Sequence, residues 1–130
     1  MFIKAILINA AYMRDEYLNQ YYGKAQNLRL ELRRQVDEQL STRDLLITPT
    51  TTTVANELFN ERVTEEAMLD RLMDTIKAVL NTCPLDLTGN PGLSVPAGTG
   101  ANDLPVGPQL IGKRFDEMSL YKAAFAYEGA

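Results

Sequence analysis

Apolar positions along the chain follow two rhythms. From Asp15 to Leu40 they recur in steps of three and four, at Leu18, Tyr21, Ala25, Leu28, Leu32, Val36 and Leu40. That spacing predicts one long amphipathic helix with a single apolar stripe. Arg33–Asp37 and Arg34–Glu38 are spaced to pair on its polar side. Tyr17, Tyr21 and Tyr22 share the helical spacing, so they read as core packing rather than as a stacking platform. Upstream, the apolar Met1-to-Ala11 stretch resembles the inside of a helix more than a domain edge. A second helix is predicted from Thr64, a fitting N-cap with Glu65 and Glu66 in the first turn. Its buried stripe is Leu69, Leu72, Met73, Ile76 and Leu80. A third runs from Glu117 to Glu128, with Asp116 as N-cap, Phe115 stapled onto Leu120 and Gly129 at the C-terminal cap.

Between the helices the pattern shortens. Leu45 to Thr48 reads as a buried strand, apolar on both faces and ended by Pro49. The threonines from Thr50 to Thr53 read as a loop. Glycine and proline then crowd residues 89–112, leaving two apolar stretches, Gly92 to Ala97 and Val106 to Ile111. These read as strands joined by a turn at Gly98 to Asp103. Pro108 has no N–H to donate, so its strand is expected to be bulged or at an edge. The order is helix, strand, helix, strand, strand, helix, an α/β or α+β arrangement. Three short strands leave open edges, as if cut from a larger sheet.

Composition narrows the chemistry. At 130 residues the chain suits one domain. Its net charge of −4, with no basic block, argues against nucleic-acid or anionic-membrane partners. Histidine is absent from the sequence, which excludes Ser-His-Asp and Cys-His nucleophiles and imidazole metal ligands. A single cysteine, Cys83, excludes an internal disulfide and a thiolate zinc cluster. No metal site and no cofactor are expected. The first apolar stretch runs into Arg14-Asp15-Glu16 too soon for a secretory signal, and no run approaches the ~20 apolar residues of a membrane span. The expectation is a soluble, cytoplasmic chain.

Few residues invite catalysis. Ser41 follows a helix end and Ser119 lies in a first turn, whereas Ser94 sits in a strand framed by glycine and proline. No lysine is tied to Ser94 by local spacing, so the nucleophile reading is outweighed by that of a small hydrogen-bonded residue. Cys83, in Asn81-Thr82-Cys83-Pro84, lacks the electropositive surroundings of a reactive thiol. Asp116 and Glu117 are adjacent and cannot face each other as acid and base. Local reading alone assembles no active site.

The segment Thr88-Gly89-Asn90-Pro91-Gly92-Leu93-Ser94-Val95-Pro96-Ala97-Gly98 precedes Leu104-Pro105-Val106-Gly107-Pro108-Gln109-Leu110-Ile111-Gly112. Then come Phe115-Asp116-Glu117, Leu120, Ala123, Ala124, Tyr127 and Glu128. This closely resembles the C-terminal region of the amidase signature family. Tyr22-Gly23-Lys24-Ala25-Gln26 with Arg29, and Asp44 to Thr50, agree in order and spacing, so the likeness spans nearly the whole chain. Asn81 to Gly92 looks most like the branch hydrolysing simple aliphatic and aromatic amides. Four residues depart from the pattern: Asn90, Asp103, Pro108 and Arg114.

The resemblance implies an α/β fold in which residues 1–130 are a C-terminal fragment of the family's mixed sheet. About three strands flanked by three to four helices are expected here. It implies hydrolysis of a carboxamide by a serine nucleophile, a second serine in a cis peptide and a lysine base. All three precede the matching region, so no catalytic residue is expected in this chain, which alone should be inactive. The substrate-pocket candidates are Thr48, Thr50, Asn81, Thr82, Cys83 and Asp86. The partner the resemblance implies is a small-molecule amide, once the N-terminal part is present, and the open sheet edges point in addition to self-association as a homo-oligomer. The alternative is a non-catalytic remnant that oligomerises or binds another protein. A weaker third reading is a minimal hydrolase using Ser94 or Cys83.

Overall fold

A computed structural model describes residues 2–56 and 65–129. The expected long helix is two helices, α1 (Phe2–Tyr17) and α2 (Gln20–Ser41). They are separated at Leu18 and Asn19, which have φ of 48° and 60°. Asn tolerates this left-handed geometry through its short polar side chain, whereas Leu18 adopts it at a cost of about 1–2 kcal/mol. Tyr12, Tyr17 and Tyr21 meet edge-on across the bend, with ring centroids 5.8 and 5.0 Å apart. These rings remain exposed, as does Tyr22, which corrects the expectation that the tyrosines pack in the core. Only the C-terminal part of the α2 stripe is covered. Leu40 is buried and Leu32 and Val36 are half-buried, while Leu28 and most of the apolar surface of α1 face outward.

Strand β1 (Leu46–Pro49) follows, then α3 (Glu65–Val79), a short α4 (Cys83–Thr88), β2 (Gly92–Ser94), β3 (Pro108–Ile111) and α5 (Glu117–Glu128). The sheet order is β1-β3-β2, both outer strands antiparallel to β3. Pro108 therefore lies in the central strand, against expectation. It is tolerated because it is the first residue of β3 and stands opposite Pro49, so no N–H is missed there. Its carbonyl still accepts from Val95 N–H at 3.0 Å. Nor is β1 buried on both faces: Leu46 and Thr48 are half-buried, while Ile47 and Pro49 are exposed.

The register sorts side chains onto two sheet faces. Leu93 and Leu110 are cross-strand partners, and α5 packs on their side, joining Val95, Leu110, Leu120 and Ala124 in one core. Gln109 stands between Thr48 and Ser94 in the opposite set, where the Leu85 side chain of α4 closes on Gly92. Behind α4 lies α2, tied to it by Arg29 Nε donating to the Leu87 carbonyl at 2.6 Å. The layers are thus α5, sheet, then α4 backed by α2.

Helix α4 was hidden from the hydrophobic pattern because six residues carry no period. Pro84 starts it and Gly89, at φ 78°, ends it by donating its N–H to the Leu85 carbonyl. Helix α3 matches its prediction in position, but Met73, Ile76 and Leu80 of its expected buried stripe are exposed. Thr64, its expected cap, lies outside the described residues. The bounds of α5 coincide with prediction, and Gly129 N–H caps it on Phe125 O. The staple does not form: Phe115 has φ 63° and is 92% exposed, and Leu120 packs toward Gly112 instead. Asp116 is the N-cap by position, but its carboxylate accepts from the Ser119 hydroxyl at 2.7 Å rather than from backbone.

The other three departures from the family pattern each have a local role. Buried Asn90 donates Nδ2 to the Gly112 carbonyl at 2.9 Å. Arg114 pairs with Asp37 of α2 at 2.9 Å. Asp103 takes φ 55° at the end of a short 3-10 turn, Ala101–Asp103.

Candidate functional site

Strand ends and loops form an open bowl of about 820 Å³ lined by residues 47–54, 94–97 and 105–108. Its shape depends on a close backbone approach. A Cβ on Gly107 would fall on the Val95 carbonyl, so only glycine lets the two strands come this near. Thr50 N–H donates to the Gly107 carbonyl at 3.2 Å, which fixes the start of the threonine loop over the sheet. Thr50 Oγ1 and Ser94 Oγ lie 2.6 Å apart and share one hydrogen bond. Further along, Thr51 Oγ1 donates to the Thr53 carbonyl, and Thr52 Oγ1 donates to the Lys77 carbonyl of α3 at 2.9 Å.

Beside the bowl, the α3–α4 connection is bound to β1 by two amide side chains. Gln109 is only 3% exposed, and its Nε2 donates to Thr48 Oγ1 at 3.0 Å and to the Asn81 carbonyl at 2.8 Å. Asn81 Nδ2 returns a bond to the Pro49 carbonyl at 2.9 Å. Thr48 and Asn81 are thereby joined through Gln109, and Thr50 reaches Ser94 nearby. Thr82 turns its hydroxyl back onto the Val79 carbonyl at 3.2 Å. Cys83 and Asp86 stand apart from this network, both exposed on α4. Gln109 was not singled out in the sequence, though an amide inside the run Val106 to Ile111 is the signal that marks it.

The bowl is mostly apolar, walled by Ile47, Val54, Pro96, Pro105 and Val106, and carries the hydroxyls of Thr48, Thr50 to Thr53 and Ser94 with no charged side chain in its lining. Apolar walls with a few hydroxyl donors and acceptors suit an uncharged ligand with an apolar body. The hydrogen-bond partner of Ser94 is a hydroxyl, not an amine, so no base stands by to activate it. The clearest charge effects lie far off on the helices: Arg34 and Gln35 donate to Glu31 and draw its carboxyl down to about 2. Among the described residues no group of acidic or thiol side chains could hold a metal ion, and no helix is long and apolar enough to cross a membrane.

Comparison with known proteins bears on nearly the whole chain. The family model Amidase matches residues 3–121. The chain is 35% identical over 127 residues to the glutamyl-tRNA(Gln) amidotransferase A subunit of Bacillus thuringiensis (strain Al Hakam), covering 98% of this chain and 25% of the relative. It is 34% identical, with the same coverage, to the corresponding protein of Bacillus cytotoxicus. Among solved structures, the same amidotransferase component from Thermotoga maritima superposes with a TM-score of 0.65 at 30% identity, covering 92% of this chain and 25% of that one. The chain thus spans about a quarter of the length of these relatives, and matches their C-terminal region.

Proposed function

The chain belongs to the amidase family, and from this we propose that it is the C-terminal part of an amidase cleaving a carboxamide C–N bond to carboxylate and ammonia. The observation that carries this is a family match over residues 3–121 by a chain spanning a quarter of its relatives. The catalytic serines and lysine belong to an N-terminal part, so this chain alone is inactive. Its own contribution is scaffold and pocket wall: Thr48 and Thr50 on the bowl, with Asn81 and Gln109 holding the α3–α4 connection against it. Thr82, Cys83 and Asp86 lie on the α3–α4 connection and on α4, outside the lining of the bowl. The bare apolar surface of α1, including Ile3, Leu7 and Ile8, is the face the N-terminal part covers.

Two branches share this chemistry: amidases of simple amides, which Asn81 to Gly92 resemble, and the amidotransferase components found above. Both are served by one experiment. The Bacillus thuringiensis relative, shortened to lack the region this chain matches, is mixed with this chain, and ammonia release from benzamide and from glutamine is followed. Neither piece alone should turn over, and the mixture should, with the preferred amide naming the branch. Thr50→Val in the mixture should raise KM more than it lowers kcat. If gel filtration shows no complex, and the chain unfolds cooperatively by itself, the non-catalytic module is the correct reading.

A further inference from the structure

One buried amide decides how a hydroxyl of the bowl is used. The end of the Gln109 side chain that meets the Asn81 carbonyl, at 2.8 Å, must be its nitrogen, because a carbonyl has no hydrogen to give. The same nitrogen donates to Thr48 Oγ1 at 3.0 Å. Thr48 is therefore the acceptor in that bond, and its own hydrogen is left over. Among the described residues nothing accepts it. Burial holds the arrangement. Gln109 is 3% exposed, so exchanging its amide ends would set two oxygens face to face away from water.

A second hydrogen is spare nearby. Thr50 and Ser94 carry a hydroxyl hydrogen each and share a single bond of 2.6 Å, which uses one of the two. The acceptors of the rim are occupied: the Pro49 carbonyl takes Asn81 Nδ2, and those of Val106, Gly107 and Pro108 each take a backbone N–H. The lining thus holds hydroxyl hydrogens without acceptors, on apolar walls that carry no charged side chain. We infer that Gln109 is a positioning residue that makes Thr48 a hydrogen-bond donor to the substrate. The bowl accordingly selects uncharged amides whose apolar body carries an accepting oxygen, an ether or a carbonyl. A carboxylate would accept as well, but no cation in the lining offsets its lost hydration.

This specificity rests on the amidase reading, in which the bowl is pocket wall, and the test separates the two. The shortened Bacillus thuringiensis relative is mixed with this chain, and kcat/KM is measured for 4-methoxybenzamide and 4-ethylbenzamide. The two match in size and differ by an oxygen against a methylene. The mixture should prefer the methoxy compound, and Thr48→Val should lower that preference about fivefold, the worth of one neutral hydrogen bond. Comparing the preference between variants cancels the intrinsic reactivity of the two amides. Thr48→Ser should retain it. Gln109→Met should lose part of it, whereas Asn90→Ala, also destabilised, should keep it whole; a purely structural role for Gln109 would not separate those two. A preference unchanged in Thr48→Val overturns the inference, and is what an N-terminal part filling the bowl would give. A preference lost in Thr48→Val but kept in Gln109→Met overturns the role of Gln109. Turnover of glutamine with neither benzamide overturns the substrate class alone, and a mixture silent on every amide overturns the amidase reading with it.

Discussion

Replacing Gln109 by methionine keeps the side chain's length and removes its two donations. Thr48 Oγ1 and the Asn81 carbonyl then lose bonds of 3.0 and 2.8 Å. Each lost bond removes about 1 kcal/mol, and stranding the acceptors adds about 1–2 kcal/mol more, reduced because both residues are half-buried and water reaches them. Methionine recovers about 1 kcal/mol by placing apolar surface where Gln109 is 3% exposed. The net destabilisation is about 2 kcal/mol. For a chain of this size that lowers the melting midpoint by roughly 6–10 °C. Urea titration followed by circular dichroism should show a lower midpoint at unchanged slope, because the surface exposed on unfolding is the same. A cycle with Thr48→Val should reveal a coupling of about 1 kcal/mol. Additivity within ~0.3 kcal/mol, or a midpoint that does not move, would refute the role given to this amide.

Asn90→Ala should cost about 1–2 kcal/mol in the same titration, since it strips the buried donor from the Gly112 carbonyl; a neutral result would mean that water replaces it. Arg114→Ala should cost only about 0.5–1 kcal/mol, because the Asp37 side chain is 40% exposed. That difference should shrink as salt rises, and a salt-independent one would point to lost packing instead. The Glu31 carboxyl is lowered from 4.5 to about 2 by Arg34 and Gln35. A depressed carboxylate stabilises the fold above its unfolded value, so this contribution is complete above pH 4.5 and lost as the pH falls toward 2. Glu31→Gln should flatten the fall of the melting midpoint across that window, and an unchanged pH profile would disprove the coupling.

The helices show where local pattern is enough. The bounds of α5 were legible because Asp116 and Gly129 flank its twelve positions, although the Phe115 staple and the Asp116 side-chain cap do not form. The strands were found in place, helped by Pro49 at the end of β1 and by glycine and proline around β2 and β3, although β2 and β3 are shorter than the expected Gly92 to Ala97 and Val106 to Ile111. The candidate wall was only half visible. Thr48 and Thr50 were found through a family likeness, yet the residue that joins Thr48 to Asn81 is Gln109, 61 and 28 positions away respectively. No spacing rule reaches across such separations.

What the chain's own pattern settled is most of the inventory: the helical and extended segments apart from α4 and the α1–α2 break, and a lack of imidazole and thiolate-cluster chemistry, while its motifs carried the kinship with amidases. Strand order, the central place of Pro108 and the bend at Leu18 and Asn19 came only from folding in three dimensions. The reason is physical. Helix periods and turn residues act between neighbours, whereas pairing of β1 and β2 with β3 is decided by which faces α4 and α5 can cover. Met73, Ile76 and Leu28 repeat with the period of a buried stripe and still face outward. Periodicity states which side of a helix is apolar, and only the arrangement of the rest of the chain states whether anything lies against it.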